Sequence, residues 1–382
     1  MEWKEDVLGN VLEVKYGKDH KKLADGQYPV YGSGGLMRYV DSKLYDGPSI
    51  LIPRKGTLNN IMFVESPFWT VDTMFWSIIN TDKVDPKFLF YSICKRDFAS
   101  MNVGSAVPSM TANILNDIQI SYPKNIDDQR RIASILSSLD RKIELNNKIN
   151  ADLEEMAQAI FKNWFVDFEP FKDGKFVDSE LGMIPEEWKV GRADDFYQIN
   201  IGKTPPRKEH KWFSTNPADK IWVSIANMGN SGIFISDSSE YLTKEAVDRH
   251  NIIMVPRNTI LLSFKLTVGR VAIADKELTT NEAIARFILS DDKYMEYLYL
   301  YLKNFDYNSL GSTSSIATAV NSKTIKGMQM LQPSDKIIDA FHIQVNPIFE
   351  KIRSLTKENS RLSLLRDTLL PRLMSGELEV PE

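Results

Sequence analysis

The chain has 382 residues, 43% of them hydrophobic and 26% charged, with a formal net charge of −4. Such a composition excludes a disordered or fibrous protein, and the length calls for two or three domains rather than one. No apolar run approaches the ~20 residues of a membrane span, and the single Cys94 cannot close an internal disulfide.

The opening Met1-Glu2-Trp3-Lys4-Glu5-Asp6 lacks the basic and apolar regions of a signal peptide, so a cytoplasmic protein without a membrane partner is expected. Overall acidity hides local excesses of base. Between Lys21 and Gly56, the residues Lys21, Lys22, Arg38, Lys43, Arg54 and Lys55 face only Asp25, Asp41 and Asp46. A protein can be acidic overall and still present basic faces. Residues 49–52, 60–64 and 75–79 are β-branched or aromatic runs that predict strands, and 86–100 predicts a helix. Two loops carry small, basic and aromatic residues together. They are Tyr31-Gly32-Ser33-Gly34-Gly35-Leu36-Met37-Arg38-Tyr39 and Pro53-Arg54-Lys55-Gly56-Thr57.

At Asp127-Asp128-Gln129-Arg130 the texture changes to a stretch free of Gly and Pro that runs to Glu169-Pro170. Asp127 or Asp128 is the expected N-cap. Positions spaced alternately four and three apart read Ile132, Leu136, Leu139, Ile143, Asn146, Asn150, Leu153, Ala157, Ile160 and Trp164, a coiled-coil seam. The 33 residues from Ile132 to Trp164 correspond to roughly 50 Å of helix.

Beyond it, 221–225, 259–263 and 271–274 predict strands and 291–304 a helix. Between Gly202 and Phe213, Lys203, Arg207, Lys208 and Lys211 face only Glu209. The loops Gly202-Lys203-Thr204-Pro205-Pro206-Arg207-Lys208, Ser263-Phe264-Lys265-Leu266-Thr267 and Gly269-Arg270 repeat the small-plus-basic character of the first part. A second seam then follows, each position 209 residues after the first: Phe341, Val345, Ile348, Ile352, Leu355, Asn359, Leu362, Arg366, Leu369 and Leu373. Asn150 lands on Asn359 and Lys148 on Lys357.

The chain is therefore a tandem duplication. In the globular parts the match is looser: 49–52 with 259–262, Lys55 with Lys265, Pro123 with Pro333, and Gly104-Ser105 with Gly311-Ser312. The fold class expected is mixed α/β. It has two domains with strongly bent sheets and two long helices pairing antiparallel, in a pseudo-twofold repeat. The boundaries are 1–126, 127–168, 169–333 and 334–376. The alternative is that each helix packs only on its own domain, but a strict 3.5-residue period suits a rod better. Buried Asn146, Asn150 and Asn359 cost stability and specify register, with Asn150 and Asn359 expected to align the helices. Pro347 implies a kink, or a helix that begins only at Asn346.

No catalytic constellation can be assembled. His20, His210, His250 and His342 have no metal-ligand spacing with one another or with Cys94. Gly32-Ser33-Gly34-Gly35 lacks the strand–helix unit a nucleotide loop needs. There is no GxxxxGK[ST] or GxSxG run. Thr204-Pro205-Pro206-Arg207 lacks the flanking acid or amide and the aromatic of an adenine-methyltransferase loop. What remains is a set of candidate DNA-contacting residues: Tyr31, Ser33, Arg38, Arg54, Lys55 and Thr57, then Lys203, Thr204, Arg207, Lys208, Lys265, Thr267 and Arg270. Hydroxyls and amides of such loops reach phosphates, and Arg and Lys read guanine edges. The alternative for any one loop is an ordinary solvated turn.

Several strings resemble the specificity (S) subunit of type I restriction–modification systems. They are Gln129-Arg130-Arg131-Ile132-Ala133-Ser134-Ile135-Leu136, the run from Ala159-Ile160-Phe161 to Asn163-Trp164-Phe165-Val166-Asp167-Phe168, Leu181-Gly182-Met183-Ile184-Pro185-Glu186-Glu187-Trp188, and Leu369-Leu370-Pro371-Arg372-Leu373-Met374-Ser375-Gly376-Glu377-Leu378. The second helix departs from the pattern at Ser334-Asp335-Lys336. The resemblance implies two target-recognition domains, each reading half of a split double-stranded DNA site, and paired helices that act as ruler and platform. It implies two methyltransferase (modification) subunits and further restriction/motor subunits as partners, with Trp164, Phe165 and Pro371 as candidate docking residues. No cofactor is then expected in this chain, S-adenosylmethionine, ATP and Mg being carried by the partners. Roughly 50 Å corresponds to about 15 base pairs, an upper limit on the unread spacer. A fused enzyme is the second reading, which methylation by the isolated chain would reveal. A DNA-independent scaffold is the third, which strongly salt-dependent DNA binding would reject.

Overall fold

Ile126–Phe165 and Asp335–Met374 are each one α-helix of 40 residues, and one common offset relates both their starts and their ends. The computed structural model describes residues 1–104, 106–310 and 320–380. The proposed match of Gly104-Ser105 with Gly311-Ser312 lies outside the described residues at Ser105, Gly311 and Ser312.

Local chemistry accounts for the helix ends. The first helix starts slightly earlier than the expected Asp127 or Asp128: the Asn125 side chain accepts the Asp127 N–H at 2.8 Å, leaving both aspartates in the first turn. There they complement the positive end of the helix dipole. After the second helix, Gly376 adopts φ +75°, and a Cβ there would lie 2.6 Å from Nε1 of Trp3, so the turn requires glycine. The alternative of a late start at Asn346 does not occur, because the second helix runs unbroken through Pro347. Pro347 sits on the exposed face, where water can satisfy the carbonyl left without its usual N–H partner.

The chain divides into two compact units. Unit 1 is Met1–Glu144 with Asn359–Glu382, and unit 2 is Leu145–Glu358. Each long helix thus contributes one half to each unit. Within unit 1, Ile132 and Leu136 share a core with Leu370 and Leu373, and Arg366 donates to Asp140 at 2.6 Å. Within unit 2, the rings of Phe165 and Phe341 are 4.8 Å apart, while Asn146 donates to Glu358 at 2.9 Å. Numbers rise along one helix as they fall along the other, so the pairing is antiparallel in both units.

All positions of both predicted seams are buried or half-buried. Each fully buried Leu, Val, Ile or Phe among them contributes about 1.5–3 kcal/mol. The helices also lean on their domains: Ala133 belongs to the unit 1 core, and Phe161 and Phe349 to that of unit 2. The two expected modes of burial coexist.

The sheets repeat as well. Unit 1 has an antiparallel sheet in the order Leu12–Tyr16, Met74–Ile79, Ser49–Pro53, Met62–Val64. Unit 2 has Gln198–Ile201, Ile284–Ile288, Ile260–Ser263, Val271–Ala274, with Phe234–Ile235 added in parallel at the edge. Ile52 lies opposite Phe75 and Leu262 opposite Ala285, and a single offset carries the first pair onto the second. Each unit adds a ribbon that leads into its helix, Trp3–Val7 with Gln119–Pro123 and Lys189–Arg192 with Gln329–Gln332. The predicted helices are shorter than expected. Pro86–Ile93 ends before a separate 3-10 turn, Phe98–Met101, and Met295–Asn304 is preceded by another, Asp292–Tyr294.

Candidate nucleic-acid interface

In each unit the first strand of the main sheet is followed directly by Gly-Lys. The Gly17 N–H donates to the Met74 carbonyl at 3.0 Å and the Lys18 N–H to that of Thr70 at 2.9 Å. In unit 2, Gly202 donates to Ile284 at 3.1 Å and Lys203 to Thr280 at 2.9 Å, and these two acceptors are the repeat counterparts of Met74 and Thr70. A Cβ on Gly17 would come within 2.0 Å of the Val71 carbonyl oxygen, and one on Gly202 within 1.9 Å of that of Asn281. Only glycine permits that approach. The neighbouring Lys18 and Lys203 are exposed at matching corners. Sequence reasoning found Lys203 and missed Lys18, because insertions give this corner a shorter offset than the helices have. The signal that could have found it is the Gly-Lys pair placed directly after a strand.

Unit 1 gathers its remaining candidates around this corner. The Gly56 N–H donates to the Pro108 carbonyl at 3.0 Å, and Asn60 Nδ2 donates to the Ser33 carbonyl at 2.9 Å. The Ser33 turn and the loop carrying Arg54, Lys55 and Thr57 are thereby joined. The Arg54 guanidinium lies 5.6 Å from the centre of the exposed Tyr16 ring, a cation–π distance. Tyr31 is half-buried on the strand Tyr28–Gly32; burial, with Tyr39 nearby, pushes its hydroxyl above the ordinary tyrosine range, so it remains a neutral donor at neutral pH.

In unit 2 the Thr204 hydroxyl donates to the Glu282 carboxylate. Burial raises the pKa of Glu282, but the Thr204 hydroxyl, its own backbone N–H and the charges of Lys265 and Arg207 outweigh this and leave it below the ordinary value. The structure therefore brings Thr204 onto this carboxylate, with Lys203 adjacent along the chain and the charges of Lys265 and Arg207 acting on it from further off. Glu282 was not among the expected residues. Asp72, exposed, occupies the corresponding place in unit 1. Carboxylates in such loops can accept from the amino group of cytosine. Lys55 and Lys265, like Thr57 and Thr267, are exposed at matching positions.

Three arginines are engaged within the protein. Arg38 donates to the Leu23 carbonyl at 2.6 Å and so braces the preceding loop. Arg207 bonds both oxygens of Glu240, at 2.8 and 3.1 Å, and stacks over Phe213 and Trp222. Arg270 donates to the Ile225 carbonyl at 2.8 Å and packs against Gly229. Lys208 is exposed.

One expectation on the helices needs correction. Phe165 is 5% exposed, packed on Phe341, Tyr297 and Trp188, so its ring is core rather than a docking surface. Trp164 beside it is half-buried and Pro371 is exposed. Within unit 2, Asn146 of the seam donates to Glu358 of the facing helix. That antiparallel alignment within unit 2 sets Asn150 about one turn further along, near Leu355. Asn150 is half-buried with its side-chain oxygen enclosed and unbonded. Among the described residues, no three His, Cys, Asp or Glu side chains are grouped as a metal site would need, and no helix is long and apolar enough to cross a membrane.

Comparison with known proteins adds an independent line. The profile of the type I restriction modification DNA specificity domain matches residues 1–155 and again 185–342. The chain is 28% identical over 387 residues to the type I restriction enzyme HindI specificity subunit of Haemophilus influenzae, covering 83% of each chain. It is 29% identical over 383 residues to the MjaIX specificity subunit of Methanocaldococcus jannaschii, covering 95% of this chain and 86% of that one. Its fold is similar to the crystal structure of a type I restriction–modification S subunit from M. genitalium, with a TM-score of 0.61 at 15% identity over 97% of this chain and 96% of that one.

Proposed function

The chain belongs to the type I restriction modification DNA specificity family, and from that premise we propose how its parts divide the work. It is the DNA-recognition subunit of a type I restriction–modification complex. Each unit reads one half of a bipartite double-stranded site. The observation that carries this reading is the repeated corner, Gly17-Lys18 with Lys55 and Thr57 in unit 1 and Gly202-Lys203 with Lys265 and Thr267 in unit 2. Lysines at these corners contact phosphates, while hydroxyls and carboxylates beside them reach base edges.

The paired helices, alike in length and seam, bind two identical methyltransferase subunits and set the distance between the half-sites. Restriction subunits join through that assembly. The chain performs no chemistry; S-adenosylmethionine, ATP and Mg belong to the partners, and the complex works in the cytoplasm. Supporting this division, the two helices share boundaries to the residue while the loops of the two units diverge.

The experiment is methylome sequencing of cells that carry this chain with its methyltransferase, before and after a heptad is inserted into both helices. Seven residues add ~10 Å, or about three base pairs. The expected result is a bipartite motif whose halves are unchanged and whose spacer lengthens. An unchanged spacer overturns the ruler, and methylation by the isolated chain overturns its non-catalytic role.

A further inference from the structure

The loop after the central strand carries a positive-φ residue at the same position in both units, and that residue differs between them. In unit 1, Pro53 ends the strand and Lys55-Gly56-Thr57 follows; in unit 2, Ser263 ends it and Lys265-Leu266-Thr267 follows. Because the strands hold the same register against their neighbours, Gly56 and Leu266 are equivalent positions. Both adopt positive φ, +90° for Gly56 and +61° for Leu266. Glycine takes that conformation at no steric cost, whereas a bulky L side chain is strained by it. Asn or Asp could offset the strain with a local side-chain bond, which leucine cannot.

Burial does not offset it either, since Leu266 is 98% exposed. The loop is nevertheless firmly held. The Ser263 hydroxyl donates to the Thr267 carbonyl at 2.6 Å, the Gly269 N–H to the Ser263 carbonyl at 3.0 Å, and the Phe264 N–H to the Ala283 carbonyl at 3.0 Å. Phe264, 1% exposed, anchors its base. A strained, fully hydrated leucine on a braced tip contributes nothing to the stability of the unit. Its apolar surface becomes favourable only when a partner displaces the water around it. The residues beside it, Lys265 and Thr267, select a polyanion. The apolar parts of that polyanion are its bases, the thymine methyl group and the faces exposed at a base step.

We infer that Leu266 is a base-contacting residue of unit 2, an apolar reader carried between a phosphate-reaching lysine and a threonine. It gives the half-site of unit 2 a hydrophobic discrimination that unit 1, with Gly56, lacks. This rests on the DNA-recognition reading above, and the test separates the two.

The full chain is assembled with its methyltransferase subunits. Binding is measured to a duplex that carries the motif methylated by the wild-type complex, and to one of equal length without it. Leu266→Gly installs the residue the backbone prefers, so its thermal midpoint does not fall. Its affinity for the motif duplex falls about tenfold while that for the motif-free duplex changes less than about twofold. Leu266→Met, apolar and of similar volume, retains most of the wild-type preference. Methylome sequencing with Leu266→Gly shows relaxation confined to one half of the motif. Unchanged affinity of Leu266→Gly for the motif duplex, or equal losses on both duplexes, overturns the inference and leaves DNA recognition standing. A wild-type complex with no preference for the motif duplex overturns both.

Discussion

Unit 1 and unit 2 share a four-strand sheet core in one register, yet they dock their helix on it by different chemistry. At the start of the first helix, Gln129 is fully buried; it donates to the Pro123 carbonyl at 2.7 Å and accepts the Asp85 N–H at 2.7 Å. Its counterpart in the second helix is Ile338, equally buried and wholly apolar. The opposite exchange occurs on the shorter helix. Lys87 of unit 1 is paired at 2.9 Å with Glu65, whereas its counterpart Glu296 is fully buried and bonded to His342 at 2.8 Å and Asn346 at 2.9 Å. The periphery differs more. Unit 1 uses one hairpin, Tyr28–Gly32 with Gly35–Val40, where unit 2 has Phe213–Ser214, Lys220–Val223 and Tyr241–Leu242. The two units share strand register, while their side-chain chemistry differs even where buried segments touch.

The strongest test of that equivalence is at the corner glycines. Gly17→Ala and Gly202→Ala each place a methyl group about 2 Å from a backbone carbonyl oxygen, and each is expected to destabilise by about 3 kcal/mol. Denaturant midpoints check this, and a large loss at one position with none at the other breaks the correspondence. Next comes Gln129→Ile, which transplants the unit 2 solution into unit 1. It leaves the Asp85 N–H and the Pro123 carbonyl buried without partners, and a loss of about 2 kcal/mol is expected in the same measurement.

Smaller effects of opposite sign are expected at the loop tips. Gly56→Leu costs about 1 kcal/mol, while Leu266→Gly gains a few tenths to about 1 kcal/mol after the entropy of the added glycine is included. Equal signs by thermal unfolding would mean that the two tips do not share a conformation. The smallest effect is one of pH. Burial raises the pKa of Glu296, opposed by the bonds from His342 and Asn346. A raised folded-state value stabilises fully below the ordinary glutamate range of about 4.3 and loses that contribution as pH rises through the folded value. The melting temperature of the wild type relative to Glu296→Gln should therefore decline as pH rises above about 4.3. A flat difference would show that His342 and Asn346 fully offset the burial.

Much of the scaffold could be read from the chain alone. The helix period identified both inward faces and the duplication offset, because a 3.5-residue repeat leaves no choice about which side is buried. The central strands were legible from their β-branched runs. Lys18 was not, because insertions shift the first strand and its corner out of the common offset. Phe165 looked like an exposed docking ring because its neighbours in the core, Tyr297 and Phe341, come from distant parts of the chain.

By itself, then, the sequence determined that there are two modules, two equal helices and a shared seam, since periodicity and repetition are local properties carried by every turn. Only the tertiary structure decided which residues meet. It pairs Asn146 with Glu358, commits Arg207 to Glu240, and places a strained Leu266 where its twin is glycine. Those outcomes depend on how distant segments cross and on backbone conformations that no residue pattern records.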